Sequence, residues 1–163
     1  MSTQTSRPSP APETVEQQVF VELVRTHAAL TRRLSGDLLE HHGLTLNDYE
    51  VLLLLSRAEG RRMRRVDLAQ SIVLTASGIT RLLEGLEGAG FVCKETCESD
   101  ARVVYAKLTD EGHRKLRTAG ITHLRGVDEL FLSRYSDEER ATLAELLSRL
   151  PLDGKLDGES CSA

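Results

Sequence analysis

The stretch "TASGITRLLEGLEGAGFV", Thr75–Val92, predicts a helix with two chemically different faces. Thr75 is suited to be its N-cap, because threonine hydroxyls accept hydrogen bonds from the first N–H groups of a helix. One side repeats apolar residues at the i, i+3, i+4, i+7 spacing of a buried helix face. That side consists of Ile79, Leu82, Leu83 and Leu86. The opposite side consists of Ala76, Ser77, Thr80, Arg81 and Glu84.

The polar side of this helix suits contact with the major groove of DNA. Short side chains near a helix N-terminus let the backbone approach closely, hydroxyls contact bases or phosphates, and an arginine pairs with guanine or phosphate. The positive end of the helix dipole also attracts phosphate. A solvated surface face would carry the same residues. For the helix by itself, the two interpretations are about equally supported.

The segment before the helix, "VDLAQSI" at 66–72, predicts a short helix, followed by a turn at Val73 and Leu74. Ala69 in it is small enough for a close helix–helix approach. Two glycines within the later helix, Gly85 and Gly88, each cost about 1 kcal/mol relative to alanine. We expect them to allow a close approach to the segment that follows.

That segment, "FVCKETCESDARVVYAKLT" at 91–109, predicts a β-hairpin of two short runs around a polar turn. Asp100 and Arg102 are two residues apart in the turn, so they can lie on one side and pair. Their pairing would direct a cation outward, which suits a narrow minor groove. Further phosphate contacts are expected from Lys94 and Lys107 and from the run "RRMRR" before the first short helix, at Arg61, Arg62, Arg64 and Arg65. Two adjacent helices followed by such a hairpin form a winged helix-turn-helix.

The charge distribution agrees with a basic central region. The 163-residue chain has a net charge of −4, yet residues 61–107 contain eight Lys or Arg against six Asp or Glu. Aromatic residues are scarce at 4%, which favours helices over strands. No apolar stretch is long enough to span a membrane, and three cysteines without framework spacing suit a reducing compartment, so we expect a cytoplasmic protein.

Long amphipathic segments flank the central region, which makes the fold mostly α with a small β wing. Residues 13–150 are expected to form one domain, with terminal tails at 1–12 and 151–163 that are too rich in polar residues to fold. Segments 13–43 and 110–150 carry leucine stripes that a winged lobe at 44–109 is too small to cover. We expect these stripes to be buried in a homodimer, with an intramolecular bundle as the alternative.

The segment from about Gly43 to Gly112 resembles the MarR family of bacterial transcription regulators. The resemblance is carried in family order by "VDLAQSI", "TASGITRLLEGLEGAGFV", "DAR" at 100–102 and "LTDEG" at 108–112. It implies a homodimer whose second short helices enter the major groove of a pseudo-palindromic operator while the wing tips enter the minor groove. It also implies a repressor released by a small effector, often anionic and aromatic, bound near His27, His41, His42 and Tyr49. The implied DNA-binding residues are Thr75, Ala76, Ser77, Thr80, Arg81, Arg64, Arg65, Lys94, Asp100 and Arg102.

Other function classes have weaker support. The five histidines lack partners at metal-binding spacing, no nucleophile or cofactor motif is present, and we therefore expect no enzyme activity, no metal and no cofactor. Two alternatives remain open. One is a thiol-based redox sensor that uses Cys93, Cys97 or Cys161, although Cys93 and Cys97 would lie about 13 Å apart along a strand. The other is a winged-helix protein-interaction module that does not bind DNA.

Overall fold

The computed structural model describes residues 14–72, 74–96 and 103–150. The described part is mostly helical, with a three-stranded sheet at its centre. The helices are α1 (Val15–His42), α2 (Leu46–Arg57), α3 (Arg65–Ser71), α4 (Ala76–Gly88), α5 (Asp110–Leu130) and α6 (Asp137–Ser148). The strands are β1 (Arg62–Arg64), β2 (Val92–Thr96) and β3 (Val104–Leu108).

Side-chain caps determine where most of the helices begin. The hydroxyls of Thr14, Thr45 and Ser136 each accept a hydrogen bond from the backbone N–H three residues later, and a Gln, Asp or Glu there completes a capping box. Thr75 and Thr109 cap α4 and α5 with the hydroxyl alone. The sequence predicts four of these caps, at Thr45, Thr75, Thr109 and Ser136, and the end of α1 at Gly43. The structure confirms these predictions, with Gly43 in the left-handed conformation.

The sheet has the antiparallel order β1-β3-β2, so β3 is its central strand. The pairing of β2 with β3 confirms the predicted hairpin strands, whereas the connecting turn at 97–102 lies outside the described residues. The sequence does not predict β1, which lies within the basic run "RRMRR" and pairs with β3. A three-residue strand with two arginines has almost no apolar alternation to identify it.

The core lies between the sheet and helices α1 to α5. Its largest fully buried side chains are Leu38 from α1, Val51, Leu52 and Leu55 from α2, Leu68 from α3 and Leu83 from α4, and α5 contributes Leu116 and Ala119. Helix α2 is central, as its nearly uniform apolar sequence predicted. The arrangement of α3, α4 and the hairpin against this core is the winged helix-turn-helix expected from the sequence.

The long helix after the hairpin ends earlier than predicted. The apolar spacing after Thr109 predicts a helix to about Tyr135, but α5 ends at Leu130, and a 3-10 turn at Leu132–Arg134 follows. Phe131 leaves the helical conformation and packs edge-on against Tyr135, with the ring centroids 5.4 Å apart. No helix in the described part of the chain has an apolar stretch long enough to cross a bilayer.

Candidate nucleic-acid interface

Helix α4 separates its residues between the core and the solvent as its spacing predicts. Ile79, Leu83 and Leu86 are buried, and Leu82 packs against the same core. Solvent-exposed residues follow one another at helical spacing on the other side. We call this side the α4 polar face, and it consists of Ser77, Arg81, Glu84, Gly85 and Gly88.

The N-terminal turn of α4 is held by its own threonine cap. The backbone N–H of Gly78 donates to Thr75 Oγ1 at 3.1 Å, and Ser77 Oγ lies 3.2 Å from the same oxygen. Thr75 and Ser77 are exposed, and Ala76 is the first residue of the helix. No acidic residue lies in this first turn. The positive end of the α4 dipole therefore has no carboxylate in its own first turn to oppose an anion.

Arg81 differs from the other cations near the sheet. It is exposed one turn after Ser77, and within the described ranges it has no carboxylate partner. Lys107 Nζ, in contrast, lies 2.6 Å from Glu95 Oε2, and Arg61 Nη1 lies 3.2 Å from Asp110. Arg81 is thus available for an external anion or a base edge.

Comparisons with known proteins point to one family. The family model described as "Transcriptional regulator SarA/Rot" matches residues 33–118. The HTH-type transcriptional repressor YetL of Bacillus subtilis is 31% identical over 116 residues, which is 69% of each chain. AbsC, a MarR family regulator from Streptomyces coelicolor, is 33% identical with a TM-score of 0.77, and covers 86% of this chain and 95% of its own. The chain belongs to the MarR family of transcription regulators.

A second solved structure links this MarR fold directly to nucleic acid. Sco3205, a MarR family regulator from Streptomyces coelicolor, was solved in complex with DNA. It is 30% identical to this chain with a TM-score of 0.78, over 84% of this chain and 90% of its own. The relatives are transcription regulators rather than enzymes, and the chain is accordingly a DNA-binding transcription regulator of the winged-helix type.

The remaining predicted site residues of this MarR regulator have different surroundings. Arg64 is exposed at the N-cap of α3, where its guanidinium donates to both oxygens of Asp67 at 2.8 and 3.1 Å. Arg65 and Lys94 both lie against Glu87. Thr80 is half-buried and already has an interaction partner. Asp100 and Arg102 lie outside the described residues, as do Glu98 and Cys97.

Carboxylates pair with several cations of the basic region, and the sequence does not show which cation each carboxylate binds. Glu95 pairs with Lys107 and with Arg62, and the hydrogen bonds from these two cations lower the pKa of Glu95. Arg62 also lies over the Tyr105 ring, 5.0 Å from its centroid. The strand register places Cys93 opposite Lys107, so Glu95 is a diagonal neighbour of that lysine. A sequence with an unknown turn length does not specify this register.

Gly85 and Gly88 of α4 do not provide the close approach to the hairpin that the sequence predicts for them. A Cβ at Gly85 or Gly88 would have no neighbour within 4 Å, so neither glycine is needed for close packing against the hairpin. The prediction that they permit a close approach is wrong. Gly112 has that role instead, because a Cβ there would overlap the carbonyl oxygen of Phe91 and lie 2.8 Å from Leu108 Cδ1.

A polar cluster lies where α1, α2 and α5 meet. Tyr49 and His123 stack with centroids 4.6 Å apart, and His42 Nε2 lies 2.8 Å from Thr122 Oγ1. Burial lowers the pKa of His123, and burial together with Lys115 and His41 lowers that of His42. Among the described residues, no group of three His, Cys, Asp or Glu side chains is arranged to hold a metal.

Proposed function

We propose that this regulator is a homodimer that binds a pseudo-palindromic operator and represses transcription until a small effector releases it. The observation that carries the proposal is the α4 polar face. It presents Ser77 together with Arg81, which has no carboxylate partner among the described residues, near the N-terminal end of a helix whose other side packs in the core. No acidic residue lies in the first turn of this helix. A helix held in this way presents a constant set of donors to base edges.

The DNA contacts are assigned by position in the winged lobe. The N-terminal turns of α4 enter the major groove, Arg64 contacts phosphate beside it, and the wing tip enters the adjacent minor groove. Sco3205 in complex with DNA and the repressor YetL support binding and repression, respectively. The proposed residues are Thr75, Ala76, Ser77, Thr80, Arg81, Arg64, Arg65, Lys94, Asp100 and Arg102.

Exposed apolar side chains on the terminal helices support a dimer formed by segments 13–43 and 110–150. Large contiguous apolar patches on a folded chain mark interaction surfaces. Buried between two copies, each Å² of this surface would contribute about 25 cal/mol. These exposed apolar residues include Val15, Val19, Phe20, Leu23, Val24 and Leu39 on α1, Ile121 and Leu124 on α5, and Leu146 on α6 with Leu150 two residues after that helix ends.

The proposed effector is a small anionic or aromatic compound. The cluster of Tyr49, His123 and His42 supports a site between α1, α2 and α5, because it places aromatic rings beside polar groups at a helix junction. His123 Nδ1 is buried and has no hydrogen-bond partner among the described residues. Since the relatives are bacterial, and bacterial DNA is cytoplasmic, the cytoplasm is the proposed location.

Selection of bound sequences from a random DNA pool at moderate salt tests the proposal. A palindromic consensus with half-sites about one helical turn apart supports it. No enrichment would contradict it and favour a protein-interaction module. Release of the selected operator by benzoate, used as a probe anion, tests the effector. Release by an oxidant that is abolished by Cys93→Ser would instead favour redox sensing, because Cys93 is exposed on β2.

Two arginine variants separate the proposed contacts. Arg81→Ala should cost about 1–3 kcal/mol of binding to the selected operator and relax its sequence preference. Arg102→Ala should weaken binding to all sequences and lower the salt slope by about one unit. If both variants bind the operator as the parent does at every salt concentration, the residue assignment is wrong.

A further inference from the structure

Three elements of the winged lobe meet at the carboxylate of Glu87. This residue lies one position before the end of α4 (Ala76–Gly88). Lys94 Nζ, from strand β2, lies 3.0 Å from Glu87 Oε2. Arg65 Nη2, from the first residue of α3, lies 3.9 Å from Glu87 Oε1. A single side chain thus connects both helices of the helix-turn-helix with the wing.

The connection is partly removed from solvent. The side chains of Glu87 and Arg65 are 19% and 27% exposed, and the two facing atoms, Oε1 and Nη2, are buried. Within the described ranges neither atom has a hydrogen-bond partner, so each depends on the opposite charge beside it. Loss of one member of a buried charge pair is costly, because the other charge remains buried and uncompensated. Glu87 is therefore constrained to its position.

Glu87 lies at the opposite end of α4 from the proposed DNA contacts. Glu87 lies eleven positions after Ala76, and at 1.5 Å per residue the distance between them along the helix axis is about 16 Å. Over that length, a tilt of about 5° would move the N-terminal turn by about 1.4 Å. The apolar face resists displacement of α4 away from the core, and the charge cluster resists its tilt relative to β2. Displacement and tilt of α4 would both disturb base contacts, because hydrogen-bond distances must be kept within a few tenths of an ångström.

We infer that Glu87 is a positioning residue that holds α4 and strand β2 in one fixed relation for DNA recognition, without touching DNA itself. The inference rests on the proposed function. It makes a prediction opposite in sign to simple electrostatics. Removal of an acidic charge from a DNA-binding surface by itself strengthens binding to the polyanion. Removal of this acidic charge weakens operator binding.

The test compares Glu87→Gln with Glu59→Gln, which removes the same charge from an exposed position just before β1, outside the α4 polar face. Affinity is measured for the selected operator and for a scrambled duplex of equal length. Glu87→Gln should weaken operator binding about tenfold or more, which corresponds to about 1.4 kcal/mol, and leave binding to the scrambled duplex unchanged or tighter. Glu59→Gln should weaken neither.

The ratio of the two affinities separates positioning from loss of folded protein. A smaller folded fraction reduces apparent binding to both duplexes equally, whereas a misplaced α4 reduces operator binding alone. Lys94→Gln breaks the cluster from the wing side and should also lower this ratio, which provides the test if Glu87→Gln does not fold. When Glu87→Gln is already present, adding Lys94→Gln should lower the ratio of operator to scrambled-duplex affinity by less than Lys94→Gln lowers it in the parent.

Two outcomes would overturn the inference. One is an affinity ratio for Glu87→Gln equal to that of the parent. The other is operator binding by Glu87→Gln that is tighter than the parent's, as the loss of an acidic charge alone would give. A parent protein that enriches no DNA sequence would overturn the proposed function, and this inference with it. The first two outcomes leave the proposed function intact, so the two failures are distinguishable.

Discussion

The two halves of α1 differ in what surrounds them. Leu38, near the C-terminal end, is 0% exposed in the core, whereas Phe20, eighteen residues earlier in the same helix, is 67% exposed. The sequence repeats apolar residues along both halves. One end of α1 therefore packs into the core, and the other end carries an uncovered apolar stripe. The difference separates residues that fold the chain from residues that are available to a second copy.

The largest effect is expected in the lobe, for Leu52→Ala. Leu52 is fully buried in α2, so removal of its side chain leaves a cavity and should lower the free energy of unfolding by about 2–5 kcal/mol. Leu124→Ala on the exposed side of α5 is the matched control. The free energy of unfolding is measured in urea at two protein concentrations. Leu124→Ala should lower only the part of this free energy that depends on protein concentration, which comes from dimer formation. Equal losses for both variants at every concentration would contradict the comparison.

The next effect concerns the uncovered half of α1. Burying the Phe20 side chain in a dimer interface would stabilise the dimer by about 1.5–3 kcal/mol. Phe20→Ser removes this side chain, so the dimer dissociation constant should rise about tenfold or more. Sedimentation equilibrium measures this constant. Arg25→Ser is the control, because Arg25 is exposed on the opposite side of the helix from the apolar stripe. A monomeric parent, or equal constants for the two variants, would remove the support for a dimer from this surface.

Helix α5 contains three glycines, and two of them, Gly112 and Gly120, test whether its packing differs along its length in the same way. Gly112→Ala should destabilise the chain by about 1–3 kcal/mol, because its Cβ would overlap the backbone at Phe91, which cannot move like a flexible side-chain end. At Gly120 the nearest atom, Tyr49 Oη, lies 3.6 Å from a Cβ, which is ordinary contact. Gly120→Ala should therefore stabilise the helix by up to about 1 kcal/mol. Thermal unfolding that lowers the midpoint for both would show that α5 is packed tightly throughout.

Local chemistry explains how much of this fold the sequence could predict. Thr45, Thr75, Thr109 and Ser136 begin their helices as caps, since the capping hydroxyl and the groups it binds are only three residues apart. The apolar face of α4 also depends only on helical spacing. Such features need no knowledge of the rest of the chain, and the structure confirms them.

Features that join distant segments were beyond the same reasoning. Strand β1 exists because β3 pairs with it, although its own residues are mostly arginine. The neutralisation of Arg65 and Lys94 depends on Glu87, which is adjacent to them only after α3, α4 and the hairpin have packed. In the sequence these cations indicated phosphate contacts. A count of charges along the chain does not identify which of them remain available.

The smallest effect is expected on α4, where the close-approach prediction for its glycines was wrong. Because a Cβ at Gly85 meets no atom within 4 Å, Gly85→Ala should stabilise the free protein by up to about 1 kcal/mol. Gly90→Ala is the contrasting control, since Gly90 has φ of +76° and alanine is strained there. Chemical unfolding measures both changes. Operator affinity of Gly85→Ala adds a sharper test, because Gly85 lies on the α4 polar face. An unchanged affinity places the DNA contacts in the first turns of the helix, whereas a loss extends them to the middle.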